Sequence, residues 1–130
     1  MGYSLHDRET REEIFVINIW HWGALCAAVN ATGLAPPPRP GELDWDQPYV
    51  EGNGLDRDTC RRIAAVLRSL LLSKLHAGER LLSDGTITTE PAPTQLFRDP
   101  DEWWRNYGTN REVLEDFTEV LETCNGFGFG

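Results

Sequence analysis

The sequence predicts an α+β fold, a mainly helical single domain with about three helices packed on a small sheet. Three observations predict it. Apolar residues recur at helical spacing in three separate stretches. The run Ile14-Phe15-Val16-Ile17, dense in branched and aromatic side chains, stands just before the first stretch. The terminal GFGFG places Phe127 and Phe129 at period two, as a short strand does.

The elements follow in chain order. The opening MGYSLHDRETREE is polar and has no apolar core of a signal peptide, so no leader is expected. REEIFVINI reads as a buried strand. A rival reading starts one long helix at a Thr10/Glu13 capping box and runs it from Arg11 to Ala31; propensity favours the strand. Ile19, Trp22, Cys26 and Val29, with Leu25 beside them, form the stripe of the first helix. Gly33 and the APPPRP run end it. On this wheel Trp22 points inward, Trp20 lies opposite and His21 sits on the flank.

Residues 34–55 read as a long acidic loop rich in Pro and Gly. Asp56 then suits an N-cap, with Asp58 in the first turn. Cys60, Ile63, Ala64, Leu67, Leu70, Leu71 and Leu75 form one helical stripe up to Gly78. LLSDGTITT suggests a hairpin around Asp84-Gly85, and PDEWWRNYG one helical turn. Thr109 and Glu112 read as the capping box of the last helix. Val113, Leu114, Phe117, Val120, Leu121 and Cys124 are its apolar face, and Asn125-Gly126 its stop.

Charge and cysteines narrow the function class. With 21 acids against 12 bases the net charge is −9, which argues against binding to phosphate backbones and leaves a basic protein as the expected macromolecular partner. No apolar run approaches membrane-spanning length, so no membrane partner is expected. Cys26, Cys60 and Cys124 are odd in number, widely spaced and set on apolar stripes. They read as reduced core thiols of a cytoplasmic protein.

Asn18, Trp20 and Trp22 entering a helix, then Asn53-Gly54-Leu55, then Phe117, Leu121, Cys124, Gly126 and Phe127 closing the chain, form a pattern. It resembles a group of small bacterial and phage-type proteins over about half of the chain. Asn125-Gly126 departs from the group's usual pair of small residues there. The group has no assigned activity, so the resemblance implies no catalytic residue.

No metal or cofactor site is expected. His6, His21, His76 and the cysteines lack zinc spacing, and His21 and Cys26 fall on different helix faces. Asp44, Asp46, Glu51, Asp56 and Asp58 lack the frame of a calcium loop. Nucleophile-elbow, activated-thiol and phosphate-loop motifs are likewise missing from the sequence, so it is read as a non-enzyme with no catalytic residue assigned.

The excess of aromatics suggests two sites. The first is the acidic, aromatic surface of Asp44, Trp45, Asp46, Tyr49 and Glu51. It would serve a small binding protein, of an immunity or inhibitory type, that takes a basic protein partner. The plain alternative there is that Trp45 plugs the core. The second is a pocket lined by Trp20, His21, Trp103, Arg105 and Tyr107. It would hold a small molecule or nucleotide, to sequester it or to act on it.

Overall fold

Tyr3, Leu5 and Asp7 alternate with Ser4 and His6. In the computed structural model, which describes residues 2–36, 45 and 53–129, that alternation is strand β1 (Gly2–Asp7). The polar character of the opening residues hides β1 in the sequence. The strand is polar on one face because only the other meets the core.

β1 pairs antiparallel with β2 (Glu13–Asn18), which resolves the choice between strand and long helix in favour of the strand. The expected burial is corrected: β2 lies at the sheet edge with only Ile17 buried, because only one of its faces meets the core. A bulge falls between Leu5 and His6 in the register, so that Leu5 faces Phe15 and His6 faces Glu13. The turn joining the strands is tied by Asp7, whose carboxylate accepts from the Glu9 and Thr10 amides at 2.8 and 3.0 Å. The terminal GFGFG supplies β6 (Phe127–Phe129) on the other side of β1, giving the order β2-β1-β6.

Helix α1 (Ile19–Ala31) starts where Asn18 turns its side chain to accept from the His21 amide at 2.9 Å. Trp22, Leu25, Cys26 and Val29 are buried, as their spacing predicts. Asp56 caps α2 (Arg57–Val66) by accepting from the Thr59 amide at 2.8 Å.

The predicted single stripe from Cys60 to Leu75 breaks inside this region. A π-helical turn over Leu67–Leu71, closed by Leu72 N–H to the Leu67 carbonyl, follows α2 directly. Its wider turn shifts the phase of what comes after. Leu70 therefore ends up 55% exposed, while Leu72 and Leu75 enter the core.

A second sheet is built from the hairpin of β3 (Arg80–Leu82) and β4 (Ile87–Thr88) plus β5 (Gly108–Asn110), in the order β4-β3-β5. The Asp84-Gly85 hairpin is as expected; β5 is new. The PDEWWRN stretch forms a 3₁₀ helix over Pro100–Asn106.

The cap of α3 (Arg111–Thr123) is corrected by one residue. Asn110, the last residue of β5, accepts from the Val113 amide at 2.9 Å. Asn is the stronger cap of the two, and the Thr109 hydroxyl is engaged elsewhere, 2.9 Å from His21 Nδ1. The architecture is thus a small α+β fold of helices and two three-stranded antiparallel sheets. Among the described residues no helix is long and apolar enough to cross a membrane.

The core gathers where α1, α3 and the first sheet meet. Leu5, Leu25, Leu55, Phe117, Leu121 and Phe127 are fully enclosed there. Trp22 is its centre, with edge-on contacts to Tyr3, Trp45, Phe117 and Phe129 at ring separations of 5.8–6.4 Å.

All three cysteines are free and buried. Cys60 and Cys124 lie side by side. The Cys60 thiol donates to the Leu55 carbonyl at 3.8 Å. The contact with Cys124, together with burial, pushes the Cys60 thiol up, and the same contact lowers the Cys124 pKa to about 6. Arg61 bridges to the end of α3, donating to the Leu121 and Cys124 carbonyls at 2.6 Å each.

Burial outweighs this acidity for reaction with external reagents. The native protein is expected to react with a bulky aromatic disulfide reagent only as fast as it opens. All three thiols should react promptly in denaturant. Fast labelling of all three in the native state, followed by absorbance, would show that these stripes are not packed.

Candidate functional site: a cleft at two helix N-termini

The two asparagines that cap α1 and α3 come together. α1 packs against β5, so Asn18 and Asn110 line one cleft of about 310 Å³. Each helix brings its positive end to that cleft. α1 has no acidic residue in its first turn to offset it, whereas α3 has Glu112.

His21, in the first turn of α1, is half-buried in the same cleft, and its Nδ1 lies 2.9 Å from Thr109 Oγ1. Burial, then the nearby Arg80 charge, lowers the imidazole pKa below its ordinary value. The ring is therefore neutral at pH 7, with Nε2 left for a ligand. Thr109 is only 1% exposed, which puts its hydroxyl out of a ligand's reach. Its role is to orient His21.

Arg80 of β3 lies against Gly108, where an added Cβ would come within 2.4 Å of the guanidinium. The missing side chain at Gly108 is what admits the arginine. Among the described residues Arg80 pairs with no carboxylate; one guanidinium nitrogen donates weakly to the Pro91 carbonyl at 3.4 Å.

Trp20 forms an aromatic wall, with the Tyr107 ring tilted against it at 5.3 Å and the Trp103 ring edge-on at 6.3 Å. Trp103 Nε1 donates to the Tyr107 hydroxyl at 3.1 Å. The Tyr107 ring in turn covers Gly23 of α1, where a Cβ would meet Cδ1 at 2.4 Å. The opposite lip is apolar: Ala92, Pro93 and Leu96.

Of the pocket residues expected from sequence, Trp20 and His21 line the cleft, and Trp103 and Tyr107 back its wall. Arg105 does not take part. Its guanidinium stacks 4.5 Å from the Phe97 ring centre and pairs with Glu102 at 3.3 Å and Glu90 at 3.9 Å. Sequence reasoning missed Asn18, Arg80, Thr109 and Asn110. The two asparagines were within reach, since each immediately precedes a helical stripe, where capping residues are preferred. Nothing local marks Arg80.

The acidic aromatic loop stands differently. Asp44, Asp46, Tyr49 and Glu51 lie outside the described residues. Of the two readings of Trp45, the structure has the plain one, a plug in the core. It is 6% exposed, donates from Nε1 to Asn30 Oδ1 at 2.9 Å, and packs edge-on against Trp22 and Phe127. A buried indole whose N–H is satisfied inside the protein has no surface left for a partner.

Comparison of the chain with protein-family models, curated proteins and solved structures finds no match.

Proposed function

We propose that this protein binds a small anionic molecule with a planar apolar part in the cleft between the α1 and α3 N-termini. One observation carries the reading. In a chain of net charge −9, the described lining of this cleft contains Arg80 and no Asp or Glu. A cation that makes no ion pair among the described residues, beside two helix N-termini, favours a negative group. Trp20 offers a face for a planar group to stack on, and neutral His21 offers Nε2 for one directional hydrogen bond. The volume, at the low end for ligand pockets, suits a nucleoside monophosphate or an aromatic carboxylate.

Calorimetry against a panel of nucleoside monophosphates and aromatic carboxylates tests this. A ligand found there should bind the Arg80→Met variant about tenfold or more weakly, because a charge-assisted bond contributes roughly 1.5–3 kcal/mol. Trp20→Leu should weaken ligands with a ring and spare inorganic phosphate. Unchanged affinity in Arg80→Met, with its fold intact by circular dichroism, would remove the anion from the reading.

A further inference from the structure

The first sheet has two outer edges, and they are treated differently. The β6 edge is covered: Leu55 bridges to Phe127, with N–H···O distances of 2.9 and 3.2 Å. On the β2 edge no strand pairs among the described residues. Beside that edge runs a groove of about 780 Å³, lined by Ile14, Phe15 and Val16 of β2 and by one side of α3. The bulge opposite His6 leaves the regular part of the edge at residues 15–18.

The two faces of this edge differ in chemistry. Phe15 turns toward α3, its ring 5.6 Å from that of Phe117. On that face the groove carries Asp116, Glu119 and Val120. Glu122 is taken by Arg68, which donates from Nε at 2.9 Å, while Asp116 and Glu119 are exposed and pair with no cation among the described residues. Val16, next in the strand, points to the other face and is 62% exposed, the most of any large apolar side chain described.

We propose that the β2 edge is a docking site for an extended basic segment of another protein, which adds as a further strand between β2 and α3. Side chains of an added strand alternate between the two faces. Lys or Arg at every second position then reaches Asp116 and Glu119, with alkyl stems along Ile14 and Val120. The intervening apolar side chains cover Val16. Charge selects the occupant. A second copy of this chain pairing through the same edge would set Glu13, Asp116 and Glu119 of each molecule against those of the other, which disfavours self-association. This site shares no residue with the cleft at Arg80.

The probe is a ten-residue blocked peptide alternating lysine and valine, followed by amide NMR shifts of the whole chain at low salt. The expected shifts are confined to residues 14–18 and 116–123. Asp116→Asn with Glu119→Gln, two exposed changes, should weaken the peptide about tenfold and flatten its salt dependence. The same peptide N-methylated at every backbone amide, so that neither edge can donate and the charge is unchanged, should also lose about tenfold or more, because ladder hydrogen bonds carry strand addition. Equal binding of the N-methylated peptide would reduce the effect to charge alone and overturn the proposal. So would shifts elsewhere, or none at millimolar peptide. A dimer in sedimentation that Val16→Arg breaks apart would assign the edge to a second copy and also overturn it.

Discussion

Replacing Trp22 with alanine should destabilise the protein by about 3–5 kcal/mol, the range for truncating a buried aromatic. Trp22 is 4% exposed and touches aromatic rings from β1, β6, α3 and Trp45. Its removal leaves a cavity bordered by three separate elements and by Trp45, and none can close it without giving up its own contacts. The neighbour two residues earlier supplies the control. Trp20 is half-buried, with one side on Tyr107 and Trp103 and the other on the cleft. Trp20→Ala should cost clearly less. Urea titrations of both variants check the phase of α1 directly. Equal losses would mean that the indole at position 22 is not the centre of the core.

The second large effect belongs to Asp7. Its carboxylate is 5% exposed and accepts amide hydrogens from Glu9 at 2.8 Å, Thr10 at 3.0 Å and Asn125 at 2.9 Å. One side chain thereby closes the β1–β2 turn and fastens the residues after α3 to the first strand. Asp7→Ala strands those three donors and should cost about 2–4 kcal/mol, since bonds to charged groups are the strong ones.

The same geometry predicts a pH dependence. The Asn125 amide first, with the Thr10 and Glu9 amides, lowers the Asp7 pKa from 3.8 to about 2. A carboxylate depressed in the folded state stabilises above its unfolded pKa and loses that contribution as pH falls through the folded value. The window therefore runs from about pH 4 down to about pH 2 and amounts to roughly 2 kcal/mol. Asp7→Asn removes the titrating group, so the stability gap between wild type and Asp7→Asn should narrow by that amount across the window. A gap that stays constant from pH 6 to about pH 2 would show that Asp7 has no depressed pKa.

Local chemistry determined much of the fold. The β2 run, the Trp22 stripe, the Asp56 cap, the Asp-Gly hairpin, the α3 face and the terminal Phe-Gly strand each carry their signal within a few residues, and each stands where that signal puts it. The burial of three free cysteines follows in the same way from their stripes. Where two neighbouring residues offered the same local chemistry, the sequence had no means of choosing. Thr109 and Asn110 can both cap, and the packing of α1 decided between them by bringing His21 Nδ1 to 2.9 Å from the Thr109 hydroxyl. The π-helical turn after α2 is of the same kind: one wide turn exposes Leu70 and buries Leu72, although the leucines keep their spacing.

Tertiary structure alone decided the sites. Trp45 has the neighbours of a surface residue in the sequence and the neighbours of a core residue in space, because Trp22, Phe127 and Asn30 meet it from elements far along the chain. Arg80 has no local mark at all. It matters because Gly108 lets it lie beside His21 and the two capping asparagines, in a cleft whose described lining has no carboxylate. Helix periodicity and capping are properties of residues a turn apart, so a sequence can state them. A cleft's charge is a sum over residues brought together from 18 to 110, and only the packing of α1 on β5 performs that sum.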